Sequence, residues 1–343
     1  MKKLTQADFQ ERRDILAGEM GLRSIAVIAT SKEAMRNRDA DYKFRADSSF
    51  FYLTGFAEPE AVAVIETFDT EEEGYTYSLF CRERNREMEI WNGYRAGIDG
   101  AIEDYEADEA YAIDLLDEEI LEKLQNKDKL FYRIGQQADF DARVAQWIAQ
   151  ANGESRRGNS APAQVIQLDR IVDEMRLHKS EDELEMMQIA SDISAEAHTR
   201  AMQTVKPGMM EYALEAELNY VFGKNGCVPS YNSIVGGGEN GCILHYVEND
   251  KELKDGDLVL IDAACEYPDG EEKDILISLI ANHMKKLIFS INKDGVEDEK
   301  ILKDLCEYSK GKINLDPATY QLHEFKEAPA APTTTSKKSK KKK

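Results

Sequence analysis

Closely spaced cysteines are missing from this chain of 343 residues. The cysteines are scattered along the sequence, at Cys81, Cys227, Cys242, Cys265 and Cys306. Such a distribution offers neither the disulfide framework of a small secreted domain nor the paired cysteines of a zinc knuckle. We therefore expect a reducing environment, and the cytoplasm fits best.

Long apolar runs are missing as well. No stretch of the sequence approaches the roughly 20 apolar residues that cross a bilayer. The first residues, Met-Lys-Lys-Leu-Thr-Gln, lack the apolar centre of a signal peptide. We expect neither a membrane span nor an export signal.

Positive charge is outnumbered, with 44 Lys and Arg against 66 Asp and Glu, so that the formal net charge is −22. A strongly acidic surface repels nucleic acid and anionic membranes, and we expect the folded body to bind neither. The exception is the lysine-rich stretch from Ala328 to Lys343, whose low complexity predicts disorder. Such a tail could touch RNA or ribosomes, although a solvated tail is the simpler interpretation.

The length indicates two domains, and the first of them reads as an α/β layer. Apolar runs predict strands that alternate with helical segments, an arrangement typical of this fold class. The strands are predicted at residues 24–29, 61–65, 75–80 and 129–134, and the helices at 5–20, 118–125 and 139–152. A polar, glycine-containing loop at residues 152–160 predicts the domain boundary.

Two helices are predicted after that boundary. Ser180 and Glu183 have the spacing of a capping box, which opens a helix of about 25 residues that the Lys206-Pro207-Gly208 stretch ends. A second helix is predicted over residues 211–222. Its apolar residues recur every four positions, so they indicate a core-facing side.

The stretch from Pro229 to Cys265 carries the candidate chemistry. An apolar run at residues 258–261 predicts a buried strand that brings Asp262 to the edge of the interior, where a carboxylate must be paired, hydrogen-bonded or metal-bound. A second strand, predicted over Cys242–Tyr246, gives His245 a similar setting. We expect the two side chains to converge on neighbouring strands, where they could form half of a metal or acid/base site. Each also has a structural interpretation, His245 as a hydrogen-bonded core residue and Asp262 as a turn or cap residue.

A Gly-x-Gly-x-x-Gly pattern at Gly236, Gly238 and Gly241 suggests a dinucleotide site. Such a site needs a helix directly after the glycines, so that phosphate meets the helix N-terminus. Because the following residues predict a strand, we reject nucleotide binding.

Several longer motifs together resemble one family. They are Arg45–Ser48, Phe51–Phe56, Glu89–Trp91, Glu174–Leu177, Ala197–Met202, Pro229–Asn232, Glu239–Tyr246 and Gly256–Ala263. Over residues 1–267 the chain resembles the Xaa-Pro aminopeptidases (aminopeptidase P), metallopeptidases of the pita-bread fold. The resemblance implies a creatinase-like or aminopeptidase P-like α/β N-terminal domain, followed by an α+β pita-bread domain that is incomplete here.

The same resemblance implies an activity, a metal and site residues. The family releases the N-terminal residue before a proline, and it uses two Mn²⁺ ions to generate the attacking hydroxide. Asp262 matches the first of five metal ligands. His245 matches a catalytic histidine that contacts the substrate without binding metal, and Tyr231 lies near the substrate pocket. Trp91 matches a residue that reaches the active site of a neighbouring subunit, which implies a homo-oligomer.

The family pattern fails after Tyr267. The second ligand should follow Asp262 by 11 positions, but position 273 is Lys, and Asp274 lies 12 positions on. One extra residue in a strand turns a side chain to the opposite face unless a bulge absorbs it. Counterparts of the remaining His and Glu ligands are also missing, and we expect little or no activity from this chain.

Residues 269–327 resemble instead the end of a family of small uncharacterised bacterial proteins. Helices are predicted over residues 271–286 and 298–309, so that we expect a helical C-terminal appendage. The predicted domains are therefore residues 1–160, 161–268 and 269–327, with a disordered tail at 328–343. A non-catalytic oligomerisation or scaffold protein is the alternative from another functional class, and prolidase is the alternative within the pita-bread hydrolases.

Overall fold

The structure is a computed structural model that describes residues 3–154 and 158–269, with five short strands beyond them; side chains are described as far as Tyr267. The later strands are Asp274–Leu276, Leu287–Asn292, Gly295–Val296, Asn314–Leu315 and Leu322–His323. The chain divides into two compact units, one of residues 1–188 with 267–277 and one of residues 189–266 with 278–343. The predicted helix at 298–309 and the predicted disordered tail at 328–343 lie outside the described residues. The predicted domain limits remain predictions.

The first unit is built on a six-stranded mixed sheet. The strands of this unit are β1 Ser24–Ala29, β2 Met35–Asn37, β3 Ala40–Asp41, β4 Val62–Thr67, β5 Tyr75–Cys81, β6 Glu109–Ala112, β7 Lys129–Tyr132 and β8 Gln164–Gln167. The sheet order is β6-β5-β4-β1-β7-β8, and β2 and β3 form a separate exposed hairpin. The predicted α/β layer and all four of its predicted strands are confirmed, and β8 extends the sheet beyond residue 160.

Helices cover both faces of this sheet. They are α1 Gln6–Met20, α2 Ser48–Thr54, α3 Arg86–Asn92, α4 Gly97–Glu103, α5 Leu116–Lys123, α6 Ala138–Gly153 and α7 Asp169–Leu177. Successive strand residues point to opposite faces, and β1 shows this directly. Ala26 and Ile28 pack in a core cluster with α1 and α2, whereas Ile25 and Val27 pack in a cluster with α5 and α6.

The buried Asp47 fixes the start of α2. Its Oδ1 accepts hydrogen bonds from the main-chain nitrogens of Ser49 and Phe50, both at 3.0 Å. Its Oδ2 accepts a hydrogen bond from Gln136 at 2.8 Å and forms an ion pair with Arg133. The carboxylate of Asp47 therefore lies inside the unit, where it has both main-chain and side-chain partners.

The second unit contains Tyr231, His245 and Asp262 of the predicted site. Its elements are α8 Glu181–Thr204, α9 Glu211–Lys224, β9 Val228–Pro229, β10 Ile234–Gly237, β11 Leu258–Asp262 and β12 Cys265–Asp269. The first turns of α8 and the last residues of β12 belong to the first unit. The predicted capping box of α8 is confirmed, since the Ser180 nitrogen donates to Glu183 Oε2 at 2.8 Å and the Glu183 nitrogen to Ser180 Oγ at 3.2 Å. The buried Leu214, Leu218 and Phe222 of α9 confirm its core-facing side.

Two local predictions are wrong. Cys242–Tyr246 is not a strand: a 3₁₀-helix runs through Gly238–Cys242, and a turn follows it. The reason is tertiary, because the Tyr246 hydroxyl donates to a carboxylate on α9 at 2.6 Å and draws the chain away from any strand pairing.

The second error is the helix predicted over 271–286. Asp274–Leu276 forms strand β13, which pairs antiparallel with β12, and Leu287–Asn292 forms strand β14, which pairs with β11. Sheet hydrogen bonds to a neighbouring strand therefore replace the helical ones at residues 274–276. The other residues of the predicted helix lie outside the described part. Further on, Gly295–Val296 (β15) pairs with β14, and Asn314–Leu315 (β16) pairs with Leu322–His323 (β17).

Within the described ranges, no helix combines the length and the apolar character that a membrane crossing requires.

Replacing Asp47 by Ala should destabilise the first unit by about 2 kcal/mol. The variant loses the N-cap of α2, which is typically worth about 1 kcal/mol, and it leaves the half-buried Arg133 with one carboxylate partner fewer. Urea denaturation measures the difference. Asp39→Ala, an exposed change in the β2–β3 hairpin, is the matched control and should stay within about 0.5 kcal/mol of the parent. Equal midpoints for the two variants would contradict the assigned role of Asp47.

Candidate active site

Asp262 lies where the sequence predicts, at the end of a strand inside the sheet. It is the last residue of β11 and is half-buried, and its register partner on β10 is Ile234. Its Oδ1 accepts a hydrogen bond of 2.6 Å from the Tyr231 hydroxyl. Burial, and then the neighbouring carboxylate, raise the pKa of Tyr231, so that its hydroxyl stays protonated and donates. The structure thus brings two predicted site residues together.

His198 adds a contact that the sequence reasoning missed. It lies on α8 with 7% of its surface exposed, and its Nε2 is 3.0 Å from the carbonyl oxygen of Ala263, directly after Asp262. Because a carbonyl only accepts, Nε2 carries the proton, and Nδ1 is then an acceptor. Among the described residues this buried Nδ1 has no hydrogen-bond partner. The available signal was its position among the alanines Ala197 and Ala201 on a core-facing helix.

His245 lies outside the predicted setting. It belongs to the loop between the 3₁₀-helix and β11, and its side chain is exposed. The strand beside β11 on this side is β10 and not the stretch that carries His245. The prediction that His245 and Asp262 occupy neighbouring strands is therefore wrong, and the catalytic role of His245 stays a prediction.

The loop that carries His245 is closed at its far end by the buried Asn249. The Asn249 side chain accepts a hydrogen bond from the Val235 nitrogen at 2.9 Å and donates to the Ser233 carbonyl at 2.9 Å. It also donates to Glu215 on α9 at 2.9 Å. These bonds hold the end of the loop against β10 even though its residues form no sheet.

The glycine pattern at residues 236–241 serves packing. A β-carbon on Gly236 would come within 2.8 Å of the Asn240 backbone, so only glycine fits there. The Gly237 nitrogen donates to the Glu211 carboxylate at 2.8 Å, so an anion already occupies the amide that a phosphate would need. The reason given for rejecting nucleotide binding was wrong, because a 3₁₀-helix and not a strand follows. The buried carboxylate argues against a nucleotide independently.

The two remaining predicted residues, Trp91 and Asp274, belong to the first unit. Trp91 is on α3 of the first unit and is 84% exposed. Asp274 begins β13, and its register partner on β12 is Asp269, but its side chain lies outside the described part. Both assignments therefore remain predictions.

The described residues do not form a two-metal centre. Across residues 3–154 and 158–267, no group of three or more His, Cys, Asp or Glu side chains could hold a metal ion. Asp262 is the one predicted ligand whose side chain is described. A catalytic metal usually needs at least three protein ligands, so this part of the chain is insufficient alone.

Two protein families match the chain. The aminopeptidase P N-terminal domain matches residues 9–132, and metallopeptidase family M24 matches residues 185–288. Over these residues the chain belongs to the Xaa-Pro aminopeptidase family. The M24 match continues past Tyr267, where the family pattern was expected to end, and it includes Asp274. The predicted α/β N-terminal domain and pita-bread fold are confirmed.

Individual relatives agree. The Xaa-Pro aminopeptidase of Escherichia coli K12 is 43% identical over 269 residues, which are 78% of this chain and 60% of that enzyme. Two structures of E. coli aminopeptidase P are also similar. One contains the inhibitor Pro-Leu (42% identity, TM-score 0.75, 77% of this chain and 60% of that one). The other is zinc-substituted with product (39%, 0.76, 84% and 63%). The chain thus spans about 60% of the length of these relatives.

Replacing His198 by Gln should flatten the pH dependence of stability. Burial lowers the pKa of His198, so the folded protein resists a proton that the unfolded chain accepts near pH 6.5. The contribution of His198 to stability is therefore fully present above that pH, and it is lost as the pH falls toward the lowered pKa. Between pH 7.5 and 5 the parent should lose about 1 kcal/mol more than His198→Gln.

Urea titrations at the two pH values measure this difference. His178→Gln is the control, because His178 is exposed. Parallel pH profiles for the parent and His198→Gln would contradict the prediction.

Proposed function

We propose that the chain has metal-binding and substrate-binding residues of a manganese-dependent Xaa-Pro aminopeptidase. The proposed substrate is a peptide with proline at its second position. The observation that carries this proposal is Asp262 at the end of β11, bound by the Tyr231 hydroxyl. A carboxylate that a hydroxyl orients at a strand end is a common ligand for a divalent cation. The family match and the 43% identity to the E. coli enzyme support the assignment. Prolidase remains the less favoured alternative, because the N-terminal motifs resemble aminopeptidase P.

The proposed roles follow the family. Asp262 is a metal ligand, Tyr231 orients it beside the substrate pocket, and His245 contacts the peptide. Asp274, the first residue of β13, is a candidate second ligand 12 positions after Asp262.

The M24 family is a family of metallopeptidases, and membership implies a divalent metal. We propose Mn²⁺, because an oxygen-rich ligand set suits it. One ligand side chain is described, and the sequence after Asp274 shows no counterpart of the family's further His and Glu ligands. We therefore propose that this chain by itself turns over substrate slowly or not at all.

Titration with Mn²⁺ tests the metal assignment. We expect weak binding short of two tight ions per chain, and Asp262→Asn should weaken it about tenfold or more, because it removes the ligand charge. Asp255→Asn, in the exposed turn before β11, is the control and should leave binding unchanged.

An assay on an Xaa-Pro dipeptide with added Mn²⁺ accompanies the titration. Two tightly bound ions with turnover near that of the E. coli enzyme would contradict the proposed low activity. Unchanged Mn²⁺ binding in Asp262→Asn would contradict the ligand role.

The exposed side of α3 favours a second role in assembly, which also suits the non-catalytic scaffold alternative. Ile90 is 76% exposed, Trp91 84%, and the following Tyr94 82%. Large apolar side chains clustered at the surface are typical of protein contact sites. We propose that this cluster lies at the contact between copies of the chain.

Replacing Trp91 by Ala should therefore lower the oligomeric state, since an aromatic anchor contributes much of the energy of a small interface. Light scattering during size-exclusion chromatography at several protein concentrations measures the mass. Tyr42→Ala, which removes an exposed aromatic ring from the β2–β3 hairpin, is the control. Equal masses for the parent and Trp91→Ala would contradict an interface at α3.

A further inference from the structure

Glu211, the first residue of α9, is a fully buried carboxylate with 0% of its surface exposed. Its Oε1 accepts hydrogen bonds from the Gly237 nitrogen at 2.8 Å and the Asn240 amide at 3.1 Å. Its Oε2 accepts hydrogen bonds from the Tyr246 hydroxyl at 2.6 Å and from the main-chain nitrogen of Lys251 at 2.9 Å. All four donors are uncharged. A buried carboxylate needs such donors, and these compensate both of its oxygens.

The four donors come from one segment of the chain. Gly237 ends β10, Asn240 lies in the 3₁₀-helix, Tyr246 lies in the loop, and Lys251 closes it. The main chain adds a fifth bond, from the Glu211 nitrogen to the Lys251 carbonyl at 2.9 Å. One side chain thus ties together the start, the middle and the end of residues 237–251.

This segment carries His245, directly before Tyr246. The side chain of His245 is exposed, and residues 243–251 include no strand or helix. The Tyr246 hydroxyl is held further by Asn240 at 3.1 Å and by the Asp250 nitrogen at 3.2 Å. These hydrogen bonds anchor Tyr246, and they therefore restrain the main chain directly beside His245.

We infer that Glu211 is a positioning residue that holds the 237–251 segment so that His245 faces the substrate. The structural part rests on the contacts above. The link to the substrate rests on the proposed function.

The chemistry of the site offers a sharp substitution. Each oxygen of Glu211 accepts one main-chain N–H, from Gly237 or from Lys251, and the backbone fixes the direction of both. In Glu211→Gln the amide NH₂ must face one of these N–H groups, whichever way the side chain is turned. The volume is unchanged, but one buried donor always meets another donor.

Hydrogen–deuterium exchange tests the structural part. In Glu211→Gln we expect exchange within residues 237–251 to accelerate about tenfold, while β11 keeps its parent rate. Glu217→Gln is the matched control, because Glu217 lies on the same helix and pairs with Arg200 instead of the loop. If Glu211→Gln raises exchange in the segment no more than the control does, the inference is wrong.

A second variant covers the case in which Glu211→Gln does not fold. Tyr246→Phe keeps the buried ring and removes only the hydroxyl that donates to Glu211. It should give a smaller rise of exchange in the same segment, and an unchanged segment would again overturn the inference.

Two further readouts separate positioning from general support. In NMR spectra of the histidine-labelled protein, the His245 signal, identified with His245→Ala, should shift in Glu211→Gln while that of the buried His198 does not. The affinity for the dipeptide Pro-Leu should fall about tenfold when Glu211→Gln is made in the parent. The same substitution made in the His245→Ala variant should leave the affinity unchanged, because the effects of coupled residues are not additive. Additive losses, or a His245 signal that does not move, would overturn the positioning role. If the parent does not bind Pro-Leu, the proposed function fails, whereas exchange and the NMR signal still decide the inference.

Discussion

Buried carboxylates must be compensated, and much of this acidic chain is organised by how that is done. A carboxylate that leaves water loses its hydration and needs either a cation or a set of oriented donors in return. In the first unit, positively charged side chains compensate the buried carboxylates. Glu66 pairs with Lys123 at 2.9 Å and with Lys127 at 3.4 Å, all three side chains being at least nine-tenths buried. Such pairs join residues that are distant in sequence, and they fix the sheet and its helices in one arrangement.

In the second unit, Glu211 and Asp262 accept hydrogen bonds from uncharged donors. Glu211 is bound by two main-chain amides, an asparagine amide and a phenol, and Asp262 accepts from Tyr231. At Glu211 these donors order a loop. At Asp262 the Tyr231 hydroxyl orients a carboxylate, a group that commonly binds divalent cations, and the M24 family is a family of metallopeptidases.

Local patterns predicted the four central strands of the first unit's sheet because these strands are short apolar runs between clear turns. The capping box was predicted equally well, because Ser180 and Glu183 lie only three residues apart in the sequence. The pattern failed at residues 242–246, where Ile243 and Leu244 suggested a buried strand but are exposed. What decides this loop is a bond between Tyr246 and a carboxylate 35 positions earlier, which no local window contains.

The sequence by itself determined the family, the α/β layer of the first unit and the position of Asp262 at a strand end, because apolar periodicity and motif spacing are properties of the chain alone. Only the tertiary structure decided that Tyr231 donates to Asp262, that His198 binds the carbonyl of Ala263, and that Glu211 closes the loop of His245. The physical reason is that each of these is a hydrogen bond between buried or half-buried groups at least 31 positions apart. The partner in each bond depends on which donor or acceptor the folded backbone places nearby and out of contact with water.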